Sequence, residues 1–240
     1  MTTIIKFNDN IEHIYDSFEE ILNLENYNDI IYIKSCGNKL SGLPELPNSL
    51  INMICHNNIL SSLPELPNSL IRLDCANNNL SSLPELPNSL EILFCNNNNL
   101  SSLPELPNSL EILFCNNNNI SNLPKLPNKL TILYCWINNL FSLPEIPNSL
   151  KILYCYHNNL SSLPELPYLI LNSIYYNDNP VHDHINDYFN GKIKNYLEHQ
   201  KKMKKIIANK IGNWFLDCKY NPKYLYCRKR LMKEYEELYG

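Results

Sequence analysis

Apolar and polar positions along this chain fall into a pattern that returns every twenty residues from about Ile30 to about Val181. Leu83 to Ser102, LPELPNSLEILFCNNNNLSS, states it most clearly. The LPxLP core restarts at Leu43, Leu63, Leu83, Leu103, Leu123, Leu143 and Leu163, each time followed by a version of LxxLxCxxNxL. Leu93 and Cys95 are two apart, which predicts a short strand of about five residues with that pair on one side and Ile92, Phe94 and Asn96 on the other. Pro104 and Pro107 then lock φ and lack a backbone donor, so the path back to the next strand is extended rather than helical. The few apolar side chains of one unit cannot offset the entropy of ordering its backbone. Units must therefore stack, each covering the open face of the next, and a short fixed period of this kind specifies a solenoid.

The asparagine at the end of each strand segment (Asn38, Asn58, Asn78, Asn98, Asn118, Asn138, Asn158) sits where the chain turns into its return path. Its amide is suited to bridging backbone groups of adjacent coils, which leaves few buried polar groups unpaired. This ladder of Leu, Asn and Pro resembles the leucine-rich repeat family, in the short LPxLP form seen in secreted bacterial effectors and in proteins of mimivirus-like giant viruses. The resemblance implies a leucine-rich repeat solenoid with a parallel β-sheet on its concave face and an extended, polyproline-like convex side, used for binding. The sequence departs from the family motif where cysteine replaces the third leucine.

Outside the repeats the pattern changes. In residues 1–29, Ile11, Ile14, Tyr15, Phe18, Ile21 and Leu22 recur at helical spacing after Asp9 and Asn10, which predicts an amphipathic N-terminal capping helix. Residues 30–181 hold the repeats, about eight strand units, with Ser35 in the first at the place of the later cysteines and Leu171, Ile174, Tyr176, Asn179 and Val181 closing the last after a one-residue insertion. Residues 182–240 form a basic tail. It carries a net +6, against −4 for the whole chain and therefore −10 for the part before it. Ile193, Leu197, Met203, Ile207 and Ile211 predict one tail helix, and Asn221-Pro222 begins another, giving a helical C-terminal cap. The stretch from Asn213 to Leu238 also resembles a tail of mimivirus-like proteins.

An apolar fraction of 44% and a mild net charge describe an ordinary globular chain rather than a bulk nucleic-acid binder. MTTIIKFNDN lacks the apolar core of a signal peptide, and no stretch approaches the roughly 20 apolar residues of a membrane span. The expected location is the cytoplasm, that of the host cell if the chain is viral. The Asn-x-Ser triplets at Asn79, Asn99, Asn119 and Asn159 are then repeat residues and not glycosylation sites.

Candidate chemistry is sparse. Cys55, Cys75, Cys95, Cys115, Cys135 and Cys155 stand in register at ≈ 4.8 Å, inside the disulfide window, but their side chains project side by side and a cytosolic setting keeps thiols reduced. They read as small core hydrophobes. His182-Asp183-His184 reads as a surface cap, and Cys218, Cys227 and His199 lack metal-ligand spacing. Lys201-Lys202-Met203-Lys204-Lys205 and Arg228-Lys229-Arg230 read as solvated helix faces. Similar bacterial effectors join such repeats to a large ubiquitin-ligase domain, and this tail is too short for that core. No catalytic residue, cofactor or metal is expected, and no small-molecule, nucleic-acid or membrane partner.

What remains is a surface. With Leu93 and Cys95 inward, the concave face carries Phe94, Phe114, Tyr134, Trp136, Tyr154, Tyr156 and Tyr175, flanked by Ile92, Ile112, Ile132 and Ile152. Earlier coils place Lys34, Ile54 and Asp74 in the same column. Tyrosine and tryptophan are favoured interface anchors, so the reading is a non-enzymatic module binding a protein partner on this aromatic face. The alternatives are a structural or packaging protein, and an adaptor recruiting a ubiquitin ligase through its tail.

Overall fold

Ile, Leu and Phe or Tyr at the centre of each repeat suit extended backbone, and they form its strand. The computed structural model describes residues 2–9, 11–167, 170 and 173–220, the side chains of 213–220 excepted. Eight strands run parallel: β3 (Tyr32–Lys34), β4 (Asn52–Ile54), β5 (Arg72–Asp74), β6 (Ile92–Phe94), β7 (Ile112–Phe114), β8 (Ile132–Tyr134), β9 (Ile152–Tyr154) and β10 (Ile174–Tyr175). Regular strand is three residues per coil, shorter than the five expected, yet the ladder continues on both sides. Glu111 N–H donates to Glu91 O at 2.8 Å, and Cys95 N–H donates to Phe114 O at 2.8 Å. Equivalent residues pair with no shift, Leu93 with Leu113 and Phe94 with Phe114, because every coil from β3 to β9 has the same length.

Leu90, Leu93, Cys95 and Leu100 are fully buried, as are their equivalents in neighbouring coils. The amide of Asn98 holds the turn after the strand. Its Oδ1 accepts from Leu80 N–H at 3.0 Å, while its Nδ2 donates at 3.1 Å to Cys75 O of the preceding coil and to Cys95 O of its own. Asn58, Asn78, Asn118, Asn138, Asn158 and Asn179 repeat this arrangement. One residue earlier the backbone is left-handed, with φ 55° at Asn97 and 54° at Asn117, a conformation asparagine tolerates well.

The return path carries no helix in the described coils. Leu90 N–H closes a turn on Pro87 O at 3.0 Å, and Ser89 Oγ donates to Leu70 O of the coil before at 2.7 Å. Ser69, Ser109 and Ser149 do the same, so the convex side has its own inter-coil ladder.

The N-terminal capping helix expected over residues 1–29 is not what forms. Thr3–Lys6 (β1) pairs antiparallel with β3, and Glu12–Tyr15 (β2) pairs antiparallel with β1, so a hairpin extends the sheet. The first coil presents a row of unpaired strand amides as well as an apolar edge, and a strand satisfies both whereas a helix covers only one. Among the described residues of this segment, α-helix is confined to Phe18–Leu22 (α1), started by Ser17, whose hydroxyl accepts from Glu20 N–H, and burying Phe18 and Ile21, with one 3-10 turn at Tyr27–Asp29. Of the residues assigned to the apolar helix face, Ile11, Ile14 and Leu22 are exposed.

The chain divides into two compact units, residues 1–187 and 188–240. In the first, α2 (Pro180–Phe189) starts as the last coil ends, with Val181 and Ile185 buried and Val181 N–H bonded to Leu160 O at 2.9 Å. In the second, α3 (Ile193–Tyr220) is one long helix on which Met203, Ile206 and Ile207 are exposed, and Tyr196 packs edge-on against Phe189. The helix expected from Asn221 lies outside the described residues. No helix among the described residues is long and apolar enough to cross a membrane.

Candidate functional site

Parallel pairing without slippage places the fifth residue of each LxxLxCxxNxL motif in one column, and from Phe94 onward the column is aromatic. Phe94 stacks on Phe114 with centroids 4.6 Å apart, Phe114 on Tyr134 at 4.2 Å, and Tyr134 on Tyr154 at 4.5 Å, the last two pairs within 8° of parallel. Tyr175 closes the column edge-on at 4.6 Å from Tyr154. Two residues along, Trp136 stacks on Tyr156 at 5.2 Å. The sheet face thus brings all seven expected residues together. Six are half-buried by their neighbours and Tyr175 is exposed. The Tyr154 hydroxyl is held above the ordinary phenol range by lost hydration, then by Tyr134 and Tyr175 on either side. Ile92, Ile112, Ile132 and Ile152 form the adjoining half-buried column.

Arg72 touches this surface, and Ile137 and Phe141 are exposed apolar residues of the Trp136 coil; none of the three was singled out in the sequence. Arg72 stands where the later coils have isoleucine, and its guanidinium lies 5.1 Å from the centroid of the Phe94 ring. Ile137 occupies the left-handed position with φ 48°, where a β-branched side chain is strained, and it is exposed. Phe141, at the place of Ser101 and Ser121, is 61% exposed. Trp136, Ile137 and Phe141 each replace a polar residue of the consensus within one coil. That departure from an otherwise exact period was the signal available.

The other candidates are placed apart from this face. The six ladder cysteines are buried as free thiols beneath the sheet. Burial pushes Cys115 and Cys155 up to about 12, and Cys55, Cys75, Cys95 and Cys135 well above the ordinary thiol value, with neighbouring thiols adding to the effect. Such thiols make neither nucleophiles nor metal ligands. His182 sits on the first turn of α2, edge-on to Tyr176, with Nδ1 3.6 Å from Asp183. Among the described residues no group of three His, Cys, Asp or Glu is placed to hold a metal ion. The side chains of Cys218 and Cys227 lie outside the described residues.

Neither a protein-family model nor a curated protein sequence matches the chain. Solved structures do. YopM from Yersinia enterocolitica WA-314 is 42% identical over 58% of this chain, with a TM-score of 0.56, and the match covers 31% of YopM. YopM from Yersinia pestis, a leucine-rich effector protein, is 37% identical over 62% of this chain and 49% of its own, with a TM-score of 0.54. The chain thus spans 31% to 49% of the YopM chains it matches. The leucine-rich repeat domain of a Shigella effector is 35% identical over 68% of this chain and 73% of that domain, with a TM-score of 0.57. With its period, its parallel ladder and its asparagine bridges all in the same register, the chain belongs to the leucine-rich repeat family.

Proposed function

We propose that this chain is a non-catalytic interaction module that binds a protein partner on the concave face of its sheet, through Phe94, Phe114, Tyr134, Trp136, Tyr154, Tyr156 and Tyr175. The observation that carries the reading is the continuous stack from Phe94 to Tyr175 along one face of the sheet. At ~4.8 Å per strand it spans roughly 20 Å with an isoleucine margin beside it, and contiguous apolar strips of this kind mark interaction sites. The strained, exposed Ile137 beside Trp136 supports the same reading, since strain of this kind is retained where it serves a contact. The effector proteins with similar repeats fit such a role. The likeness of the repeats and tail to giant-virus proteins makes a host-cell protein in the cytoplasm the partner to seek.

The test is capture from an extract of the cell in which the protein acts, comparing the full chain with Tyr134→Ala/Trp136→Ala. The pair should abolish capture while the variant remains folded. Undiminished capture by a folded variant would remove the site from this face.

A further inference from the structure

The aromatic stack has a cation at one end. Arg72 stands one coil before the column that Ile92, Ile112, Ile132 and Ile152 form, and its guanidinium rests 5.1 Å from the centroid of the first ring, Phe94. A guanidinium carries five N–H donors. The Nε of Arg72 is shielded from solvent without an acceptor, and Arg72 joins none of the ion pairs of the described residues. Asp74, on the same strand and the same face, has its Oδ1 engaged by Ala76 N–H at 3.3 Å. A guanidinium held on a ring face and partly stripped of water gains more from a charge-assisted bond than one in bulk solvent. The sheet has fixed this one in place, so little side-chain entropy remains to be lost on binding.

We propose that Arg72 receives an acidic side chain of the protein partner, so that the concave face selects segments in which Asp or Glu lies close to apolar or aromatic residues. The inference rests on the concave face being the binding surface. Carboxylate fits better than the phosphates of a nucleic acid, because the strip beyond Arg72 offers a polyanion only rings and isoleucines and no second cation in the Phe94 and Ile92 columns. A single carboxylate at Arg72 leaves the rings to apolar side chains.

The experiment is selection of a displayed library of random peptides on the purified full chain. Selected peptides should be enriched in Asp or Glu within a few positions of Trp, Phe, Tyr or Leu. The commonest of them, labelled and titrated, should bind Arg72→Gln at least about tenfold more weakly, with Arg72→Lys intermediate because it keeps the charge and loses the fork. Near-ultraviolet circular dichroism establishes that each variant is folded. Peptides that depend on Tyr134 but carry no acid, or that bind Arg72→Gln equally well, would overturn the role of Arg72 and leave the concave face standing. Peptides whose binding depends on neither residue, or no selected peptide at all, would overturn both. Oligothymidylate binding that depends on Arg72, without acidic peptides doing so, would assign the cation to phosphate and overturn the proposal.

Discussion

Asparagine meets two different demands at adjacent positions of the repeat. Asn98 is buried and its amide serves four backbone groups, whereas Asn97 supplies a left-handed backbone and Asn99 is exposed. Asn98→Ala takes that partner from all four and should cost at least about 3 kcal/mol, read from urea unfolding, while Asn99→Ala stays within about 0.5 kcal/mol. Equal effects would contradict the bridging role. Ile137→Asn restores the residue that tolerates φ 48° and should raise stability by about 1 kcal/mol. A lower melting temperature would show that no strain is stored there. The thiols give a pH dependence. In the unfolded chain a thiol ionises near its ordinary value, whereas folded Cys115 and Cys155 hold their protons up to about 12. Their contribution is therefore complete below the ordinary thiol value and is lost as pH rises from there toward 12. Urea midpoints should fall between about pH 8 and about pH 10.5, and Cys95→Ala with Cys115→Ala should flatten the fall. An unchanged slope would contradict the burial of ionisable thiols. The bridging asparagine was legible because its spacing never varies. The left-handed position was not, since φ is a backbone property that Asn97 and Asn98 do not announce separately.

Among the elements, the strand, its register and the helix-free return were written in single residues: Leu93 and Cys95 two apart, and proline where a helix needs a donor. The N-terminal cap was not. Ile11, Ile14 and Phe18 fit a helical period, but Thr3–Lys6 and Glu12–Tyr15 are two strand-length segments. The described turn between them is at Asn8 and Asp9, and choosing hairpin over helix needed the knowledge that the first coil leaves strand amides open. Thr3 Oγ1 lies 2.9 Å from Ser35 Oγ, and Asn38 Nδ2 donates to Thr2 O at 3.0 Å, so the hairpin also finishes the asparagine ladder at its first rung. Removing residues 1–29 should uncover β3 and produce association in sedimentation velocity. A variant that stays monomeric and as heat-stable as the full chain would contradict the capping role. Deleting one whole internal unit, Ser81 to Leu100, should by contrast keep the circular dichroism spectrum and lower stability modestly, because each coil contacts only its neighbours.

At the scale of the whole molecule, one period does two jobs. Its inward positions, Leu93 and Cys95, barely change from coil to coil, which makes the fold readable. Its outward positions drift from Lys34, Ile54 and Asp74 through Phe94 and Phe114 to Tyr134 and Tyr154, and that drift is where the aromatic column was legible. Arg72 and Phe141 were harder to see, because their meaning lies in what they touch and in what they leave uncovered. The aromatic stack also steadies the sheet, each neighbouring pair by about 0.2–1 kcal/mol, so stability alone does not separate the two roles. Site-specific photocrosslinking does. A benzophenone side chain placed at Tyr134 on the concave face, and in a second protein at the exposed Glu105 on the convex side, reports which surface a partner touches in extract of the cell in which the protein acts. A discrete adduct from position 134 and none from position 105 is the predicted result. An adduct from position 105 alone would contradict binding on the concave face.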